Sequence, residues 1–517
     1  MQPSELKSEM QECKWIFDFF AIGFDYLSSR MYASEDILDR LASGSSRAFR
    51  DAISNRDGGM PASIHDFLGV PNRDWSQMTD TGLEAPDFHF KLLYVLWQID
   101  RAALDLNYFC KGGNKALWPS VREHLERNHL SLHRDFARRV IIRPPPLAAK
   151  HWWSAALKLK WSIVERGQHL DRLFQNLIRV PEVLGADITL LNRMPALFDR
   201  VTSEDSSFKI GIVPLVHDIR YRSVSVELLP GPLHIVPHKV IEFAQESGSR
   251  HEVSRFGIEV IEGDGTQTMD FLAHRAAAAT QSACDRGVEV LLFPELVVPD
   301  AVVNAISTVL RDNFQRGEST PRVTLAGTFG RASTDGKNFN EAVILDGSGR
   351  ELYRQRKMHA YKMFEYEQQK YNLVDLFQNL PRQEDFDTFP RRVTFLDSRA
   401  AGYRIVTLIC EDAAQENPGR EAVAALHPTI VFVPVMAGAL EKGCWCWETA
   451  SLFARRPGAV AIVANSGALA KAQFAKQGRT DHPPLAIVGA PLADPAYNNV
   501  RASSCVDKNG LILLNIP

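Results

Sequence analysis

The chain lacks the cysteine density of a disulfide scaffold. Seven cysteines are scattered over 517 residues, whereas a secreted, disulfide-stapled chain carries them close together and in pairs. A reducing cytoplasm is the expected setting, and there a thiol stays free. The chain also lacks any uncharged apolar run near the roughly 20 residues that span a bilayer, so no membrane anchor is expected. The most apolar N-terminal stretch, WIFDFFAIGFDYL, is interrupted by Asp18 and Asp25 and does not read as a secretion signal. Strong charge of either sign is absent. The formal net charge is −3, which gives no global pull toward nucleic acid or anionic lipid. No internal repeat and no low-complexity tract stands out. What is present is an ordinary globular composition, 45% hydrophobic and 23% charged. A chain of this length exceeds one compact core, so two or more domains are expected.

The pattern changes near residue 205. Before it, apolar residues recur mostly at helical spacing, and 5–30, 87–110 and 150–179 each read as a long amphipathic helix. Residues 55–80 read as loop, RPPPL at 143–147 as a helix breaker, and TSEDSS at 202–207 as a linker. After it, strands and helices alternate, which argues for a layered α/β domain. The expected organisation is a mostly helical domain over 1–205 and an α/β domain over 206–517. Residues 216–266 read as an insertion between that domain's first strand and first helix. SSCVDKNGLILLN at 503–515 reads as a closing hairpin turned at Asn509-Gly510.

Three strands end in reactive side chains: LLFPE in Glu295, YRQRK in Lys357 and VTLIC in Cys410. In layered α/β folds, sites gather at the C-terminal ends of strands. A thiol is a weak nucleophile at its free pKa of about 8.5 and needs activation. A nearby ammonium favours the thiolate, and a carboxylate can take its proton. Lysine cannot abstract a proton while charged, so Glu295 is the better general base. Lys357 would stabilise the oxyanion formed when a carbonyl is attacked, with the backbone N–H of Glu411 as a second donor. Taken singly, each residue has a plainer reading. Cys410 could be a core cysteine or a metal ligand, Lys357 a solvated lysine and Glu295 a capping carboxylate.

Taken together, the contexts FPE, RKMH and ICED, in that order, resemble the nitrilase, or carbon–nitrogen hydrolase, superfamily. Lys357 follows Glu295 by 62 residues and Cys410 follows Lys357 by 53. The resemblance covers roughly 207–517. The GD at 263–264, the helix carrying Trp447-Glu448 and Arg455-Arg456, and VAIVANSGA at 460–468 also fit it. It implies an α-β-β-α sandwich, usually paired into dimers. It implies Glu295 as general base, Lys357 as oxyanion stabiliser and Cys410 as a nucleophile that forms a thioester. A second glutamate is expected shortly after the lysine. MFEYEQ offers Glu365 and Glu367, and Glu367 fits the family's local pattern better. CED resembles the amidase branches, so amide is preferred over nitrile. The segment 358–391 is longer than the resemblance leads one to expect and reads as a lid or an altered pocket.

The remaining motifs are weaker. Cys444 and Cys446 in CWCW form a Cys-x-Cys pair, but no second pair at zinc spacing accompanies it. No metal and no cofactor is expected. Trp445 or Trp447 reads as lining a pocket, and Cys505 as core. Residues 137–161 interleave basic residues with Trp152, Trp153 and Trp161, a pattern that can bind single strands. Core packing of Trp153, Leu157, Trp161 and Val164 on one helical face explains it without nucleic acid. The preferred function is a thiol-dependent hydrolase of a small amide or nitrile, working as a homo-oligomer. The alternative is a regulatory, defence-type or scaffold protein. Its N-terminal helical domain would bind a protein partner or nucleic acid, with the nitrilase-like domain as effector or sensor.

Overall fold

The computed structural model describes residues 16–28, 96, 139–142, 177–180, 186–191, 208–215, 220–221, 233–244, 249–260, 269–332, 337–371, 373–377, 381–398, 403–455, 459–490, 500–504 and 510–516. The chain divides into two compact units, Met1–Pro145 with Ala149–Val183, and Pro146–Ala148 with Leu184–Pro517.

In the first unit the helix Ile16–Ser28 falls inside the helix expected over 5–30. Phe20 and Phe24, one turn apart, stack with centroids separated by 6.1 Å. Arg139–Ile142 and Leu177–Val180 form an antiparallel pair. The end of the helix expected over 150–179 is therefore strand: LIRV is β-branched at two of four positions and suits a ladder. The rest of that helix, almost all of 87–110, and the aromatic-basic stretch beyond Ile142 lie outside the described residues.

The second unit contains two large sheets. Six strands run in the order Glu351–Arg356, Asn338–Asp346, Val323–Ala332, Val290–Leu292, Phe208–Ile212 and Ile512–Ile516. Seven run in the order Val500–Ser503, Ala486–Gly489, Val460–Asn465, Ile430–Val435, Tyr403–Thr407, Arg392–Ser398 and Asp187–Leu191. Val290–Leu292, Ile430–Val435 and Val460–Asn465 are buried at every position, as parallel strands covered on both faces must be. Helices Met269–Asp285 and Asp300–Gln315 turn Leu272, Ala276, Val302 and Ile306 into a core shared with Leu291, Phe293 and Val343. Helix Trp445–Arg455 packs against Val460–Asn465 and Ala486–Gly489. Gln355, from the six-stranded sheet, donates to Arg392 O (2.6 Å) and accepts from Thr394 N–H (2.9 Å) in the seven-stranded one.

Two expectations change. Asp187–Leu191 precedes the linker expected at 202–207, yet it pairs parallel with Arg392–Ser398. The compact unit therefore begins near Leu184 rather than at 206. The closing hairpin does not form. Val500–Ser503 pairs with Ala486–Gly489 in one sheet, and Ile512–Ile516 with Phe208–Ile212 in the other. Both segments find their partners elsewhere, and the residues between them, 505–509, lie outside the described ones. Within the expected insertion 216–266, Leu233–Ala244 and Ser249–Val260 form a long antiparallel pair, and Ser249–Val260 runs parallel to Arg382–Glu384. Through that pairing the insertion reaches the segment between Lys357 and Cys410.

Candidate active site

Cys410 lies beyond the end of Tyr403–Thr407. Leu408 N–H and Cys410 N–H still bond to Phe432 O and Pro434 O, at 2.9 and 3.0 Å, so the chain stays in register with the neighbouring strand up to the thiol. It then turns abruptly into the helix Glu411–Ala414. Cys410 takes φ 48° and ψ −109°, a backbone region that residues with a Cβ seldom occupy and that clusters at functional sites. A strained strand-to-helix turn of this kind presents a nucleophile's side chain at the sheet edge. It also leaves the Glu411 N–H among the first-turn donors with no acceptor inside the helix.

Glu295 follows Val290–Leu292 in a loop that needs close packing. A Cβ on Gly327, which has φ +75°, would come within 2.6 Å of Pro294 O and 2.4 Å of Val298. The Glu295 carboxylate is buried, with 1% exposure, and gathers donors. Oε1 accepts from Lys357 Nζ (2.7 Å) and Asn340 Nδ2 (3.0 Å), and Oε2 from Met436 N–H (3.0 Å). Cys410 lies within electrostatic range of this carboxylate.

Lys357 stands between two carboxylates. Its Nζ lies 2.6 Å from Glu384 Oε2 as well as 2.7 Å from Glu295 Oε1. Burial works against its charge, but the facing Glu295 and Glu384 outweigh it and hold the ammonium well above the usual lysine range. Burial and the Glu295 charge push the Cys410 thiol well up, with Lys357 pulling the other way. The resting sulfur is therefore protonated. Glu384 is pushed up to about 7, by burial first and by Glu295, against the pull of Lys357.

The structure thus brings Glu295, Lys357 and Cys410 together. Glu365 is exposed and accepts from Gln369 Nε2 at 3.1 Å. Glu367 accepts from the Tyr361 hydroxyl and from Phe364 N–H (2.9 Å). The carboxylate that joins Glu295 on Lys357 is Glu384, which the sequence reading did not single out. It sits on a three-residue strand in the long segment 358–391, and Tyr361 N–H also donates to it at 2.7 Å. Asp412 is a second addition to the reading. Fully buried, it accepts Met358 N–H at 3.0 and 3.1 Å and lies 3.0 Å from His359 Nδ1. Trp445 and Trp447 are both half-buried at the start of their helix. Among the described residues, no group of three or more His, Cys, Asp or Glu side chains could hold a metal ion. Among them too, no helix is long and apolar enough to cross a membrane.

Residues 267–451, which carry all five buried side chains of this cluster, match the carbon-nitrogen hydrolase family. They form a carbon–nitrogen hydrolase domain. No curated protein matches the chain. Among solved structures, an amidase from Nesterenkonia sp. is similar at 15% identity and a TM-score of 0.33, over 61% of this chain and 93% of that one. A variant of the amidase from Nesterenkonia sp. AN1 in complex with butyramide is similar at 14% identity and 0.33, over 61% and 94%. Another variant of it shows covalent addition of the acetamide moiety of fluoroacetamide at its active-site cysteine. It is similar at 15% and 0.33, over 61% and 92%. At such scores these likenesses carry no argument, and the assignment rests on the family match and on the residues themselves.

Proposed function

We propose that the hydrolase domain cleaves small amides through a Cys410 thioester. The reading is carried by one observation, the buried chain Glu295–Lys357–Glu384 beside Cys410. Burial keeps the resting sulfur a thiol, so attack needs a nearby base, and Glu295 is that base. Glu295 takes the Sγ proton as sulfur adds to the carbonyl carbon. The oxyanion is met by Lys357 Nζ and the Glu411 N–H. Collapse breaks the C–N bond, and Glu295 returns its proton to the departing ammonia or amine. Water then adds to the thioester carbonyl, giving up a proton to Glu295. The acid leaves and the proton returns to Sγ.

Glu384 is a positioning residue in this scheme. It is the second carboxylate on Lys357, so the ammonium does not have to spend its whole charge on the base. Glu367 acts at one remove, through Tyr361, which lies within electrostatic range of Cys410. The α-β-β-α sandwich belongs to the same proposal, supported by the helices packed on each sheet and by Gln355 bridging them. A homo-oligomer, and a partner for residues 1–205, are proposed from the sequence alone. The test is turnover of a panel of primary amides by the wild type and by Cys410→Ala.

A further inference from the structure

Asn340 touches both the base and the lysine, through two different groups. It lies on the strand Asn338–Asp346, which pairs with Glu351–Arg356. Its backbone carbonyl accepts the Lys357 N–H at 2.8 Å, one residue beyond the end of that partner strand. Its side chain donates from Nδ2 to Glu295 Oε1 at 3.0 Å. Asn340 is 1% exposed, and among the described residues its Oδ1 has no hydrogen-bond partner. An oxygen turned toward the Glu295 carboxylate would repel it, which fixes Nδ2 on that side. A buried acceptor without a partner costs stability, and an apolar side chain of similar size would avoid that cost. Packing alone therefore does not account for a carboxamide at this position.

The consequence lies in which Glu295 oxygen is open. A carboxylate offers about four lone-pair sites, shared equally between its oxygens. Oε1 meets two donors, Lys357 Nζ at 2.7 Å and Asn340 Nδ2 at 3.0 Å. Oε2 meets Met436 N–H alone, at 3.0 Å. Oε1 is filled, and the site left for a proton is on Oε2. Removing the Asn340 donor opens a second site on Oε1, beside the Lys357 ammonium.

We propose that Asn340 is a positioning residue that fills Oε1 of Glu295 and so directs the Cys410 proton to Oε2. The S–H bond breaks, an O–H bond forms on Oε2, and the freed Sγ electron pair attacks the carbonyl carbon. Lys357 Nζ keeps its proton and its bond to Oε1. Asn340 also keeps the carboxylate from turning, because a rotation that exchanges the two oxygens breaks its hydrogen bond. This role rests on Glu295 being the base in the proposed amide cleavage. The bond to Lys357 N–H is made by main chain and is retained by any residue at 340, so a substitution there isolates the side chain.

Alkylation of Cys410 by iodoacetamide tests this without any amide turnover. The S–C bond forms as the C–I bond breaks, and the thiol proton must still leave. The full chain, Asn340→Leu, Asn340→Ala and Glu295→Gln are treated side by side, with peptide mass spectrometry reading the label on each cysteine. Both Asn340 variants are expected to label Cys410 at a rate between those of the wild type and Glu295→Gln. On an amide that the wild type cleaves, they should lose kcat on the order of 10²-fold, the scale at which a misplaced reacting group slows a site, with KM unchanged. Loss of fold shows in the opposite direction, as fast labelling of the buried Cys284 and Cys446, and the smaller alanine serves where leucine does not pack. Wild-type labelling of Cys410 in a folded Asn340 variant, with Glu295→Gln slow, would overturn the role of Asn340 alone. Wild-type labelling in Glu295→Gln as well would overturn the base and the role of Asn340 with it.

Discussion

The carboxylate of Asp412, two residues beyond Cys410, accepts the N–H of Met358, the residue after Lys357. The two strand ends that carry nucleophile and lysine are thereby tied by a buried hydrogen bond. The close approach of Gly419 completes the joint, since a Cβ there would stand 1.8 Å from Asp412 O. Asp412→Ala leaves the Met358 N–H buried without a partner, and each such loss costs about 1–3 kcal/mol. A lower urea midpoint and a lower kcat/KM are expected together. Asp412→Asn keeps an acceptor oxygen and should recover most of the stability. Equal melting curves for wild type and the alanine variant would show that the joint is dispensable.

Glu384 makes the reaction sensitive to pH. As pH falls through about 7 Glu384 gains a proton. Lys357 then loses one of its two anions and leans on Glu295 alone. A Lys357 that leans on Glu295 alone is drawn away from the oxyanion it must meet, so kcat/KM should fall on the acid side with an inflection near about 7. Glu384→Gln mimics the protonated form and should sit on the low plateau without that inflection. Stability carries the opposite sign. Glu384 binds its proton more tightly folded than unfolded, so its contribution is present at low pH and lost as pH rises to about 7. The glutamine variant should lack that slope. An unchanged rate profile for the variant would remove Glu384 from the site's function.

Comparing Glu367→Gln with Glu384→Gln separates the two acidic candidates. Glu367 meets Tyr361 and the Phe364 N–H, whereas Glu384 meets the ammonium directly. The smaller loss of kcat is expected for Glu367→Gln, and a loss on the order of 10²-fold for Glu384→Gln, the scale at which a misplaced reacting group slows a site. Steady-state kinetics of both variants decides it. The reverse order would restore the glutamate favoured by sequence pattern.

Lys357→Met removes the oxyanion donor and should lower kcat by about 10²- to 10³-fold. It also leaves Glu295 and Glu384 buried without their cation. Breaking a buried pair costs about 3–5 kcal/mol. That penalty should shrink as pH falls, because protonation of Glu384 relieves the repulsion. Denaturant melts at two pH values check this, and a penalty that grows toward acid would contradict it.

Much of this was legible in the chain. Buried strands announce themselves as continuous apolar runs, as before Glu295 and Cys410, whereas the strand before Lys357, ELYRQR, is mixed and only partly buried. Glu384 left no such signal. RQE is too short for alternation to register, and its strand exists because it pairs with the distant strand Ser249–Val260. Asp412 was visible only as a first-turn carboxylate. Its hydrogen bonds to a loop 54 residues away are tertiary, and no local pattern encodes them. The Asn509-Gly510 pair misled for the same reason: local turn chemistry does not say which strands its flanks will pair with.

The most direct test of the central claim is ammonia release from a panel of primary amides by the wild-type chain and by Cys410→Ala, measured side by side. Turnover by the wild type and only background release by the variant is the predicted result. Release by Cys410→Ala at the wild-type rate would contradict it.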